Sequence, residues 1–112
     1  MRRMAVRVSV ERQSCCVYYH RAVELIGKRW TGAIVAVLLD GPLHFSEIRR
    51  LVPEISDRLL SERLKELEAE GLVERRVIDG SPVRTEYSLT RKGEALEPAV
   101  RTLQRWAQDY MR

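Results

Sequence analysis

At Gly71 the apolar period of this chain changes, and that change constrains the fold more than any other feature of it. Before Gly71, Leu60, Leu64 and Leu67 recur at helical spacing, and Ile55 and Leu72 extend the same stripe beyond both ends. After it, Leu72–Val77 and Val83–Leu89 alternate at period two, as strands do. Between them Ile78-Asp79-Gly80-Ser81-Pro82 has hairpin chemistry with Asp-Gly at its centre. A helix therefore runs through a glycine stop straight into a β-hairpin.

The flanks complete the pattern. A first helix is predicted over about 18–27, where Ala22, Val23 and Ile26 share a face and Gly27 ends it. A second runs from Trp30 to Leu39 and is apolar all round, which makes it the buried centre. Asp40-Gly41-Pro42 terminates it, because proline cannot continue a helix. A short third helix spans Ser46 to Leu51, with Ser46 as cap and Glu47 in its first turn. Val52-Pro53-Glu54-Ile55 breaks it, and Ser56 or Asp57 caps the helix that runs on to Glu70. Two helices joined by so tight a break read as a helix-turn-helix. Thr90 caps a last helix, predicted over about 90–110, with the apolar ridge Leu96, Val100, Leu103 and Ala107. The predicted class is α+β, mainly α: a winged helix-turn-helix, with a helical core, a two-stranded hairpin wing and a C-terminal helix suited to dimerisation.

With 112 residues the chain makes one domain, over 16–112, behind a mobile basic arm at 1–15. Its core is small enough that a partner chain would add to its stability. The content of 45% hydrophobic and 32% charged residues is that of an ordinary globular protein. The net charge of +4 favours a polyanionic partner only slightly. The longest apolar run, Ala33–Leu39, is too short to span a membrane, and the N-terminus lacks the apolar stretch of a signal peptide. A cytoplasmic location with reduced thiols is the consequence.

On a helical wheel the residues opposite the leucine stripe are Arg58, Glu62 and Lys65, with Asp57 and Ser61 on one flank. Asp57, Arg58, Ser61 and Glu62 have the chemistry to read base edges, and Arg58 and Ser61 are the strongest candidates among them. Lys65, Arg75, Arg76 and Arg84, with Ser46 on the preceding helix, are the candidates for phosphate. The competing reading is a plain solvated face. Position decides for double-stranded DNA, because the second helix of a helix-turn-helix enters the major groove and an arginine-bearing hairpin follows it.

Several linked stretches resemble one family: Cys16, AVELIGKRW from Ala22, LDGPLHFSEI from Leu39, ISDRLLSERLKELE from Ile55, Gly71-Leu72-Val73, and EYSLT from Glu86. In this order and spacing they resemble the HxlR-type winged-helix transcription regulators, related in fold to the MarR regulators. The resemblance covers Cys16 to about Trp106. It implies a cytoplasmic homodimer without catalytic activity or cofactor, reading DNA through the helix from Asp57 with the hairpin as wing. It also implies dimerisation through the N-terminal segment, including Tyr19, and the last helix. The ridge Leu96, Val100, Leu103 and Ala107, with Trp106 and Tyr110 beside it, agrees with that. Residue spacing alone leaves open that this helix folds back on its own domain.

The resemblance also implies oxidant or electrophile sensing at Cys16. Here Val17 stands where such sequences often have proline, and Cys15 is an additional thiol. Arg12, His20 and Arg21 are near enough in sequence to lower a thiol pKa. The alternative is that the cysteines are small buried hydrophobes at the dimer interface. A bond across the dimer is favoured over one between neighbours, which would be strained. Cys15, Cys16, His20 and His44 lack metal-site spacing, so no metal is expected. Trp30 and Phe45 read as core, and no catalytic set can be assembled. The chain thus reads as a dimeric regulator, a repressor acting by steric exclusion and open to a small-molecule or oxidant effector. The alternative is a winged-helix docking module for proteins.

Overall fold

The computed structural model describes residues 14–112, so nearly all of the 1–15 arm, and Arg12 with it, lies outside the described residues. The elements in chain order are α1 (Val17–Ile26), α2 (Thr31–Leu38), β1 (Leu43–His44), α3 (Phe45–Leu51), α4 (Asp57–Ala69), β2 (Val73–Ile78), β3 (Arg84–Leu89), α5 (Arg91–Glu94) and α6 (Glu97–Tyr110). This is a winged helix-turn-helix. No helix among the described residues is long and apolar enough to cross a membrane.

The leucine stripe is the heart of the core. Leu60, Leu64 and Leu67 are buried against Ile34, Val35 and Leu38 of α2 and Ile48 of α3, and Ile55 and Leu72 close the two ends. Trp30, Phe45, Leu96 and Val100 pack on its margin. Ser56 caps α4, its hydroxyl accepting from the Leu59 amide at 3.1 Å, and Asp57 is the first helical residue. At the other end Gly71 takes φ +76°, which costs a glycine nothing. That turn lets the Leu72 amide reach the Leu67 carbonyl at 2.9 Å and the Gly71 amide the Glu68 carbonyl at 3.0 Å. These two bonds form a Schellman motif, with Leu67 and Leu72 as its buried apolar pair. One backbone turn thus fixes the exit from α4 into the wing.

Three expectations need correction. The wing has three strands, in the order β1-β3-β2, because Leu43 pairs with Tyr87 and His44 with Glu86. Ser46 does not cap α3; His44 holds that position, and its amide donates to Glu47 Oε1 at 2.8 Å. The last helix is two helices: Thr90 caps only α5, accepting from the Gly93 amide at 3.2 Å, and the chain kinks through Ala95-Leu96 before α6. Pro98 in the first turn of α6 explains the break. It has no amide to offer the preceding turn, and its ring crowds that turn's carbonyls.

Candidate nucleic-acid interface

α4 presents its polar side outward from a scaffold that its apolar side anchors. Arg58, Glu62 and Lys65 are exposed, Ser61 is half-buried on the flank, and among the described residues no ion pair or side-chain hydrogen bond ties down the first three. Asp57 is engaged: its carboxylate accepts from Arg49 Nη1 of α3 at 2.7 Å. The pair borders an open depression between the two helices, lined also by Phe45, Ser46 and Arg50. Ser46 and Arg50 are exposed there, so α3 offers a hydroxyl and a cation beside the start of α4. Sequence reasoning missed Arg49 and Arg50; the only local signal was a pair of arginines just before the helix break.

The register of the wing sorts its arginines. Arg75 lies opposite Tyr87 and Arg76 opposite Glu86, so neighbouring β2 residues point to opposite faces. Arg75 turns back towards α4 and pairs with Glu68 at 3.4 Å. Arg76 pairs across the strand with Glu86 at 2.8 Å. Arg84, opposite Ile78 near the tip, is exposed with no ion pair among the described residues. Of the three wing arginines expected at phosphate, Arg84 is free and the other two are already offset by carboxylates. Burial raises the Tyr87 pKa above the ordinary tyrosine value, with the nearby Arg75 charge opposing and Glu68 adding to the rise.

A second surface lies on α1 and α6. No residue of either helix is fully buried within the protomer. Tyr19 is 66% exposed, Leu103 62% and Tyr110 74%, with Trp106 half-exposed and its ring tilted against that of Tyr110 at 5.7 Å between centroids. Leu96 and Val100 behave differently, since they pack on their own core, and Ala107 is half-buried. The predicted ridge therefore divides into a half that faces its own domain and a half that faces outward. Cys15 and Cys16 are exposed at the start of α1. His20 sits 3.3 Å from Glu24, one turn along the same helix. Cys15, Cys16, His20 and His44 are not brought together into a metal-binding group.

Residues 25–112 match the family described as HxlR-like helix-turn-helix. The chain is 50% identical over 96 residues to the uncharacterized HTH-type transcriptional regulator YvaP of Bacillus subtilis, covering 86% of this chain and 89% of that one. It is 46% identical over 95 residues to the HTH-type transcriptional regulator YodB of the same organism, covering 85% of each. The reduced form of YodB superimposes with a TM-score of 0.76 at 45% identity, over 87% of this chain and 95% of that one. YodB is also known in diamide-treated and quinone-bound forms. The redox regulator HypR in its reduced form superimposes with a TM-score of 0.78 at 38% identity, over 82% of this chain and 91% of that one.

Proposed function

The chain belongs to the HxlR-like helix-turn-helix family, whose members are transcriptional regulators and not enzymes, and we propose that it acts as a homodimeric repressor on a two-fold-related operator. The observation that carries this reading is α4 itself: Arg58, Glu62 and Lys65 stand exposed and unengaged on the second helix of the motif, beside a wing whose Arg84 is also free. In this reading Arg58 and Ser61 touch base edges, with Asp57 and Glu62 beside them, while Lys65, Arg84, Ser46 and Arg50 hold phosphates. Arg75 and Arg76 contribute less, because each must first give up a carboxylate partner. Two copies meet through the outward faces of α1 and α6, using Tyr19, Leu103, Trp106 and Tyr110. That pairing sets the reading helices about one helical turn of DNA apart, and bound protein excludes the transcription machinery sterically in the cytoplasm.

Responsiveness to oxidants or electrophiles at Cys16 belongs to the same proposal. It is supported by the exposure of both thiols and by the likeness to YodB and HypR, each known in more than one redox or adduct state. Selection of bound duplexes from a random pool tests the operator reading. The expected product is a two-fold-related sequence with half-sites about 10 base pairs apart, carrying two protomers per duplex in sedimentation. A pool that never converges on any sequence would contradict it.

A further inference from the structure

Arg63 departs from the outward-facing pattern of α4. Its side chain is only 15% exposed, so its contacts are less screened by solvent than those of its neighbours. Its Nε donates to the backbone carbonyl of Arg29 at 3.0 Å, in the turn that joins α1 to α2. Its Nη1 donates to both carboxylate oxygens of Glu66 at 3.3 Å. Glu66 in turn pairs with Lys28 Nζ at 3.1 Å, in that same turn. The middle of α4 thus grips the α1–α2 turn at two successive residues, one through its backbone and one through its side chain.

The turn itself leaves little slack. The Gly27 amide donates to Val23 at 2.7 Å, and the Thr31 amide to Lys28 at 3.1 Å. Trp30 holds φ +78°, a left-handed conformation disfavoured for a bulky residue and maintained only where the surroundings over-determine it. Its ring packs against the core on one side and carries the Arg29 guanidinium 4.9 Å from its centroid on the other. α1 packs on α2, and most of its residues are exposed. A tilt of α1 is therefore received at this turn, and the turn is fastened to α4.

We propose that the Arg63–Glu66 clamp on Lys28 and Arg29 is the linkage through which α1 sets the angle of the DNA-reading helix, with Arg63 as the positioning residue. The proposal rests on the assignments of α1 to the partner protomer and α4 to DNA made above. Arginine meets the carbonyl with Nε and the carboxylate with Nη1, two nitrogens held in one rigid plane, whereas a lysine ammonium keeps the charge but must reach both acceptors from a single nitrogen on a flexible stem. Any partner protomer or ligand that moves α1 then changes the pitch of α4 in the groove without touching it.

The test uses Arg63→Lys and Glu66→Gln in the full-length dimer. Three quantities are read: thermal melting, amide hydrogen exchange over residues 28–34 and 60–66, and affinity for a selected operator against a scrambled duplex. Both variants are expected to stay dimeric and folded at the assay temperature. Selectivity should fall roughly tenfold, the scale of one lost base contact, while affinity for the scrambled duplex is kept. Exchange should quicken about tenfold in both segments together. Should Arg63→Lys fail to fold, Glu66→Gln carries the test alone. Wild-type selectivity in folded variants overturns the proposal even if exchange quickens, because the clamp is then only structural. Should the wild-type protein select no duplex, the DNA reading fails and the proposal that rests on it is overturned with it; wild-type selectivity kept by folded variants overturns the proposal alone.

Discussion

Arg49 of α3 and Asp57 of α4 meet at 2.7 Å across the turn of the helix-turn-helix, so the first residue of the reading helix is tethered to the helix before it. Both partners are well exposed, and such pairs contribute only about 0–1 kcal/mol to stability. Arg49→Ala should therefore leave the melting temperature almost unchanged. Its effect should fall on DNA, because it removes a cation and frees a carboxylate on the face proposed to lie against the duplex. Anisotropy titrations should show weaker binding to any duplex, with Asp57→Asn in the same background restoring part of the loss.

Arg58→Ala and Arg84→Ala should separate reading from holding. Loss of a base contact at Arg58 is expected to cost about 1–3 kcal/mol on the operator and to relax sequence preference. Loss of Arg84 should weaken all duplexes alike and flatten the slope of log affinity against log salt by about one unit. Arg76→Ala should flatten it less, because Glu86 already neutralises that arginine. Salt-series titrations on operator and scrambled duplexes check all three.

Leu103 and Val100 sit one turn apart on α6 but differ in burial. Leu103 is largely exposed in the protomer, so Leu103→Glu should convert the dimer to monomer in sedimentation while leaving a folded domain. Val100 is half-buried on the core margin, so Val100→Glu should lower the melting temperature by setting a charge against apolar side chains. A Leu103→Glu protein that stays dimeric would contradict the assigned interface.

Tyr87 gives a pH prediction with a definite sign. Its folded pKa lies above the unfolded value, chiefly through burial, so the folded state holds this proton more tightly. The stability this contributes is complete below the unfolded value of about 10 and is lost as pH rises through the folded one. Chemical denaturation should show stability falling with pH above about 10, and Tyr87→Phe should lose less over that range. Equal losses in both proteins would assign the alkaline instability to other groups.

What was legible in the sequence is what local chemistry determines. The stripe Leu60, Leu64, Leu67 and the stop at Gly71 are each set within a few residues and stand where the sequence pattern put them, and of the two caps it offered, Ser56 and Asp57, the structure takes Ser56. β1 was not legible, because two residues carry no period and exist as a strand only by pairing with Tyr87 and Glu86 far along the chain. The split between α5 and α6 was obscured because proline is welcome in a first helical turn, so Pro98 did not by itself announce a new helix. On the candidate interface, exposure of Arg58, Glu62 and Lys65 followed from the wheel. The partners of Asp57 and Arg76, and the Arg29 carbonyl that holds Arg63, did not, because each comes from another part of the chain.

The central claim is that α4 and the wing together read DNA. Fluorescence anisotropy tests it most directly, with the duplex upstream of the chain's own gene against a scrambled one across a salt series. The account predicts selective binding to that duplex, tighter than to the scrambled one by about a thousandfold or more. Affinity for both should fall steeply as salt rises. Absence of binding to either duplex at low salt would contradict it and leave the winged helix as a docking module for another protein.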